Sequence, residues 1–121
     1  MRLPIQYAFS YPKRFPLDGE RLDLFKMKAL TFEQPDTQRF RCLRLAYESL
    51  KQGGNMPCIV NAANEVANLA FRQERCGFLQ MADIIEQTLA RVAHQEKLSL
   101  QDYLDCDRES RIVANELIGK P

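Results

Sequence analysis

Tryptophan is absent from this chain of 121 residues, and histidine occurs only once, at His94. The cysteines are spread out, without a C-x-x-C pair, at Cys42, Cys58, Cys76 and Cys106. Because a zinc site draws on clustered thiolates or imidazoles, this spacing argues against one. We therefore expect no metal ligands in this chain, and four reduced, mostly buried thiols.

An excess of charge of one sign and long apolar runs are also missing. The formal net charge is +1, so the composition does not indicate a nucleic-acid partner. No apolar run approaches the roughly 18 residues of a membrane span. Arg2 and Pro4 occupy the place where a signal peptide would have its apolar stretch. These absences predict a cytoplasmic protein without a membrane partner, and the length is that of one domain.

Arrangements typical of catalysis are not evident either. Nucleophilic catalysis needs a Ser or Cys with a base in reach, and we place His94 in the last turn of a predicted helix, where a cation favours the helix dipole. The pair Gly53-Gly54 ends a predicted helix instead of following a strand, so it does not resemble a phosphate-binding loop. We assign no catalytic residue to this chain.

Proline divides the chain near residue 36. Residues 1–36 contain Pro4, Pro12, Pro16 and Pro35. Each proline fixes φ and lacks a backbone donor, so long regular elements cannot pass through it. Residues 4–10 can form one short helix, and residues 30–32 can pair as a strand. We predict an extended, proline-rich linker arm that needs a surface to lie on.

The remainder, residues 37–121, shows helical periodicity. It predicts helices over residues 37–52, from Pro57, over residues 79–94 and from Ser99, with a break near residues 105–107. The predicted inward side chains are Phe40, Leu43, Tyr47, Leu50, Ile59, Ala62, Ala63, Val66, Ala70, Phe71, Met81, Ile84, Ile85, Leu89, Val92, Leu100, Tyr103 and Leu104. Short connections favour antiparallel neighbours. The predicted fold class is therefore mainly α: a small antiparallel helical bundle preceded by the linker arm.

One polar stripe on the second predicted helix has two explanations. Asn61, Asn64, Glu65 and Asn68 follow one another at helical spacing on one face. Asparagine is unfavourable inside a helix because its side chain competes for backbone groups. The stripe is either a ligand or docking site, or a hydrogen-bonding stripe that fixes helix packing, and we favour the second.

Basic residues on the first predicted helix suggest a solvated face. Arg41 and Arg44 share one side, and Glu48 lies four residues beyond Arg44. An ion-paired face is the expected meaning.

Several segments, in order, resemble a known family. The chain opens with Met1-Arg2-Leu3-Pro4-Ile5, and Asn61-Ala62-Ala63-Asn64-Glu65 stands in the second predicted helix. Between and after them come Leu30-Thr31-Phe32, Pro35-Asp36, Cys42-Leu43-Arg44-Leu45-Ala46 and Gly77-Phe78. Together they resemble the carboxy-terminal part of the 1-deoxy-D-xylulose 5-phosphate reductoisomerase family. Arg41 is a departure, because many relatives have proline at that position.

The resemblance implies that this chain is the carboxy-terminal fragment of a three-part enzyme. Residues 1–10 would be the tail of the central catalytic domain, residues 11–36 the linker arm, and residues 37–121 the carboxy-terminal helical bundle domain. The rest of the parent chain is then the partner, and the parent is a homodimer.

The family uses NADPH and Mg²⁺ or Mn²⁺ to convert 1-deoxy-D-xylulose 5-phosphate to 2-C-methyl-D-erythritol 4-phosphate, in non-mevalonate isoprenoid biosynthesis. The resemblance gives this chain one cofactor-binding residue, Met1, which matches a methionine beside the nicotinamide pocket. We expect no catalytic or metal residue, no bound cofactor and no activity in the fragment alone. The alternative is a free-standing helical adaptor that binds a protein partner.

Overall fold

The computed structural model describes residues 1–27 and 29–119. Its helices are α1 (Arg2–Ser10), α2 (Arg41–Gln52), α3 (Met56–Arg72), α4 (Gln80–Arg91) and α5 (Leu100–Leu117). The part of the chain described contains no strand, which confirms the mainly α prediction, and residues 30–32 do not form the strand considered for them. None of the described helices is long and apolar enough to cross a membrane. The chain divides into two compact units, Met1–Gln34 and Pro35–Pro121.

The first unit is built on α1, which includes the predicted short helix. The Gln6 side chain donates hydrogen bonds to the carbonyls of Phe15 and Pro16, at 3.2 and 2.9 Å. The Arg14 guanidinium lies over the Tyr7 ring, 4.5 Å from its centre. No residue of α1 is buried. These contacts hold the following chain against α1 without forming an apolar core.

The second unit is organised around α3, which contacts α2, α4 and α5. One side of α3 is alanine-rich, and Ala62, Ala63, Ala67 and Ala70 are almost fully buried. Side chains this small allow neighbouring helices to approach closely, while Ile59 fills the core at the amino-terminal end of α3. The connections over residues 53–55, 73–79 and 92–99 are short, as is typical of antiparallel neighbours.

Helix α2 starts later than predicted. Residues 37–39 form a turn, and Asp36 Oδ1 accepts the backbone N–H groups of Gln38 and Arg39 at 3.1 and 2.9 Å. Asp36 therefore caps that turn, and the helix begins at Arg41. Asp36 suits the N-cap of a helix that begins at residue 37, but Phe40 holds the N-cap position of α2, so the sequence does not show that the turn and the helix are separate.

The predicted core face of α2 is wrong. Phe40, Leu43, Tyr47 and Leu50 are 59%, 37%, 59% and 69% exposed, whereas Leu45 and Ser49 are the buried residues of the helix. The helix thus packs through a narrow side, opposite its most apolar stripe. Periodicity finds an apolar stripe but does not show whether the covering surface belongs to the same bundle.

The prediction of inward residues is confirmed for most of α3 and α4. Ile59, Ile84 and Ile85 lie in the core. Phe71 is an exception, at 38% exposure, because its ring meets that of Phe78 edge-on at 5.7 Å instead of entering the core.

Helix α5 runs without the predicted break. Cys106 faces the core and is 6% exposed, so core packing stabilises the helical turn at residues 105–107. Asp105 and Asp107 form ion pairs with Arg108 and Arg111 at helical spacing, and these pairs support the helix. The predicted apolar cluster at its start is also wrong, because Leu100, Tyr103 and Leu104 are 77%, 39% and 52% exposed.

Candidate functional site

Met1, the one residue with an expected cofactor role, lies directly before α1 and is 92% exposed. A thioether that is this accessible is free to pack against an aromatic ring. The role of Met1 in cofactor binding stays a prediction.

A cleft of about 350 Å³ lies in the first unit, between α1 and the chain that follows it. Its polar lining includes Gln6, Arg14, Glu20 and Arg21. Gln6 is occupied by two backbone carbonyls and Arg14 by the Tyr7 ring. These polar side chains therefore hold the chain after α1 in place.

The stripe on α3 is exposed at all of its positions, Asn61, Asn64, Glu65 and Asn68. Glu65 accepts a hydrogen bond from Arg111 of α5 at 2.7 Å, and Asn61 Nδ2 lies 3.5 Å from Glu65 Oε1. Glu65 therefore joins α3 to α5, which agrees with the packing explanation at this one position of the stripe. Asn61 and Asn64 instead line a groove of about 330 Å³ between α2 and α3.

Arg111 is held by carboxylates on two helices. Besides Glu65, it binds Asp107 through two hydrogen bonds, of 2.7 and 3.1 Å. Hydrogen bonds to Asp107 and then to Glu65 raise the pKa of the Arg111 guanidinium above its usual value. An arginine satisfied in this way is a bridge between helices and is not available to bind an anionic ligand.

The predicted ion-paired face of α2 is confirmed and also reaches another helix. Arg44 lies 3.7 Å from Glu48 and 3.2 Å from Glu86 of α4. Arg41 binds Asp83 at 2.6 Å and also binds Glu86. These pairs hold α2 against α4, so the arginines do not form a free basic patch.

Asn55 is a polar residue that the sequence analysis missed. It is 1% exposed, its Nδ2 donates to the Ala93 carbonyl, and its Oδ1 accepts the Gln95 N–H, both at 2.9 Å. The chain after α4 is thereby bound to the start of α3. An asparagine between a Gly-Gly pair and a helix start is a sequence signal that could have shown a cap-like position.

His94 lies outside the helix in which it was predicted, because α4 ends at Arg91. Its Nε2 lies 2.8 Å from the point where a side chain on Gly54 would begin. The helix-dipole interpretation of His94 is therefore wrong. His94 instead packs beside Gly54, where the α2–α3 connection meets the loop after α4.

The four cysteines are free, but only Cys106 is buried. The prediction of mostly buried thiols is wrong, since Cys42 is exposed and Cys58 and Cys76 are half-buried. Burial, and secondarily the neighbouring Cys106, raises the pKa of the Cys58 thiol to about 11. A thiol with such a pKa is a poor nucleophile near neutral pH.

Metal-ligating side chains do not cluster in residues 1–27 and 29–119. No three of the histidine, cysteine, aspartate and glutamate residues described are placed so that they could hold a metal ion. The donors present in this part of the chain therefore do not fit a divalent-metal centre.

Comparison with known proteins decides the family. Residues 1–113 match the family model described as the DXP reductoisomerase C-terminal domain, where DXP is 1-deoxy-D-xylulose 5-phosphate. The chain belongs to this family. The match to residues 1–113 includes the whole first unit and most of the second.

Curated relatives are named reductoisomerases and are longer than this chain. The chain is 58% identical over 119 residues to the 1-deoxy-D-xylulose 5-phosphate reductoisomerase of Phocaeicola vulgatus, covering 98% of this chain and 31% of the relative. It is 48% identical over 120 residues to that of Chlorobium phaeobacteroides, covering 99% of this chain and 31% of the relative. The chain therefore spans about 31% of the length of these relatives.

Solved structures of the family share the fold. The Zymomonas mobilis reductoisomerase, in complex with NADPH, matches with a TM-score of 0.87 and 42% identity over 99% of this chain and 32% of its own. A reductoisomerase in complex with NADPH, fosmidomycin and magnesium matches with a TM-score of 0.81 and 30% identity, over 95% of this chain and 30% of its own. In both, the matched family domain is one part of a longer chain.

Proposed function

We propose that this chain is the carboxy-terminal part of a 1-deoxy-D-xylulose 5-phosphate reductoisomerase and that it has a structural role there. The observation that carries the proposal is the match of residues 1–113 to the family's C-terminal domain, in a chain that spans 31% of its relatives. The parent enzyme converts 1-deoxy-D-xylulose 5-phosphate to 2-C-methyl-D-erythritol 4-phosphate, for non-mevalonate isoprenoid biosynthesis. In it, the bundle braces the catalytic domain.

The cofactors belong, in this proposal, to the parent. NADPH supplies hydride and Mg²⁺ or Mn²⁺ acts as a Lewis acid, so that cofactor and metal carry the chemistry. The donors of this chain do not fit the metal, as described above, and the complexes of NADPH and magnesium belong to longer family members. We propose that the remaining part of the parent binds the metal and, apart from the contact with Met1, NADPH, and that this chain alone is inactive.

The division of roles along the chain is also a proposal. Residues 1–10 would complete the central catalytic domain, with Met1 against the nicotinamide, residues 11–36 would cross as a linker arm, and residues 37–121 would form the carboxy-terminal bundle domain. The absence of buried residues in α1 supports this division, because α1 then gains its apolar packing from the parent. We further propose a cytoplasmic, homodimeric parent.

A chimaeric enzyme tests the proposal directly. This chain would replace the 119 matched residues of the Phocaeicola vulgatus relative, to which it is 58% identical. We expect the chimaera to oxidise NADPH with 1-deoxy-D-xylulose 5-phosphate, and this chain alone to show no turnover. A folded but inactive chimaera would contradict the structural role in the parent, and turnover by the isolated chain would contradict its inactivity.

A further inference from the structure

The outward face of α2 is the stripe formed by Phe40, Leu43, Tyr47 and Leu50. These residues recur at intervals of three and four, so they share one side of the helix. The opposite side carries Leu45 and Ser49, which are the buried residues of α2. The bundle therefore uses the weaker apolar side of this helix and leaves the larger one uncovered.

This face continues beyond α2. Phe40 lines a small cleft together with Phe78, Leu79 and Met81. At the other end, Leu50 lines the α2–α3 groove with Val60. The exposed side chains at the α3–α4 connection are large, since Phe78 and Leu79 are 66% and 76% exposed. A contiguous apolar surface of this kind marks an interaction site more often than a solvated surface.

The two arginines of α2 leave the outward face free for an apolar partner. Arg41 and Arg44, on another side of α2, are engaged with Asp83 and Glu86 of α4. Covering the face would therefore not require breaking these ion pairs. Polar groups at its edge include the neutral amides of Asn61 and Asn64, which line the same groove as Leu50. They also include Arg39, whose guanidinium lies over the Phe40 ring, 6.0 Å from its centre. An apolar centre with a polar edge is the usual composition of an interface.

We propose that the outward face of α2 is the surface on which the amino-terminal two-thirds of the parent reductoisomerase docks. This proposal rests on the proposed function and specifies which side of the bundle contacts the partner. The choice of occupant follows from the length of the relatives. This chain covers 31% of the Phocaeicola vulgatus reductoisomerase and 32% of the Zymomonas mobilis one. The family domain thus occurs joined to more than twice its own length of protein, which is a permanent partner at high effective concentration.

Cys42 provides a native reporter for the test. It is exposed and lines both the cleft beside Phe40 and the groove beside Leu50. Iodoacetamide modification of Cys42, followed by peptide mass spectrometry, would be compared between this chain and the chimaera with the Phocaeicola vulgatus enzyme. We expect modification in the chimaera to be slower by about tenfold or more, because docking must open before the reagent enters.

Two double variants of the chimaera test the location. Tyr47→Gln with Leu50→Gln removes apolar surface from the face, while Leu104→Gln with Ile112→Gln removes it from α5, where the side chains are 52% and 55% exposed. Glutamine keeps a helix propensity close to that of leucine, so the helices are retained. We expect the first pair to restore fast modification of Cys42 and the second pair to leave it protected.

Four results would overturn the docking proposal. They are equal Cys42 reactivity in the chimaera and in the isolated chain, equal effects of both double variants, no effect of either, and protection in the isolated chain that grows with its concentration. The last result would identify a second copy as the occupant. Activity separates this test from that of the proposed function: an active chimaera with unprotected Cys42 contradicts only the docking, and an inactive one with protected Cys42 contradicts only the function.

Discussion

Gly54 lies where the α2–α3 connection passes the loop after α4, with a φ of +57°. A Cβ at this position would lie 2.2 Å from the Gln95 carbonyl oxygen, which belongs to the backbone and cannot swing away. We therefore expect Gly54→Ala to lower the free energy of unfolding by more than about 3 kcal/mol, measured by urea denaturation.

The neighbouring glycine is the matched control. Gly53 has a φ of +73° but no atom within 4 Å of its added Cβ. Gly53→Ala should therefore carry only the strain of its backbone conformation (φ +73°, ψ −155°), which is nearly restricted to glycine, about 1 to 3 kcal/mol. Equal losses for the two variants would show that backbone strain, and not the close approach of the loops, decides stability at this connection.

Asn55 is the residue whose amide joins the same two loops. Removing it leaves the Gln95 N–H and the Ala93 carbonyl without their side-chain partner in a buried place. We expect Asn55→Ala to lower the free energy of unfolding by about 2 to 3 kcal/mol. Asn68→Ala, at an exposed position of α3, should stay within about 0.5 kcal/mol in the same urea titration. A loss at Asn55 no larger than that at Asn68 would contradict this role.

Among the elements, α5 has the best-defined start. Ser99 and Asp102 form a capping box, in which each side chain accepts the other's backbone N–H. The hydrogen bonds from Ser99 lower the pKa of Asp102 below its usual value. Because the folded pKa is the lower one, this stabilisation is complete above the unfolded pKa, about 3.8, and is lost as the pH falls through the folded pKa.

Asp102→Asn should therefore reduce stability at neutral pH and have a progressively smaller effect below about pH 4. Urea denaturation at a series of pH values, on the wild type and the variant, measures the difference. Asp107→Asn, which lies on the same helix but outside the cap, serves as a comparison for the loss of a carboxylate. A difference for Asp102→Asn that stays constant down to the acid limit would contradict the cap as its cause.

How far the sequence predicts these elements depends on what holds each one. Ile59, Ile84 and Ile85 were placed inward correctly, because on α3 and α4 the apolar stripe is covered by the bundle itself. The outward face of α2 was wrongly placed in the core, because no described helix of the second unit covers it. Periodicity shows that a face is apolar but not which surface packs against it.

Polar contacts between distant parts of the chain were the least predictable. Arg44 with Glu48 could be predicted because both lie on one helix, whereas Arg41 with Asp83 requires the packing of α2 on α4. Asn55 contacts residues 38 and 40 positions away. Spacing along one helix carries no information about such pairs. The capping box of α5 is local, so the spacing of Ser99 and Asp102 in the sequence is enough to indicate it.

At the scale of the whole molecule, the two units should differ in stability. The first unit leaves many large apolar side chains in water, and Phe9, Phe25 and Phe32 are 89%, 99% and 89% exposed. In the second, α3 is surrounded by the other helices. We expect amide exchange, followed by mass spectrometry, to be slowest in α3 and to be fast over residues 22–32. Strong protection of residues 22–32 in a proven monomer would contradict the proposal that they need the parent's surface.

The exposed segment after α1 also bears on how long the chain survives when it is not assembled. Its basic residues include Lys13, Arg14, Arg21 and Lys26, which lie outside the helices, where backbone can enter the cleft of a trypsin-like protease. A copy without its partner would be cut here first, while the bundle from α2 to α5 resisted. The segment whose apolar side chains need a partner's surface would thus also be the first site of proteolysis in unassembled copies. The lifetime of the chain would then depend on its assembly.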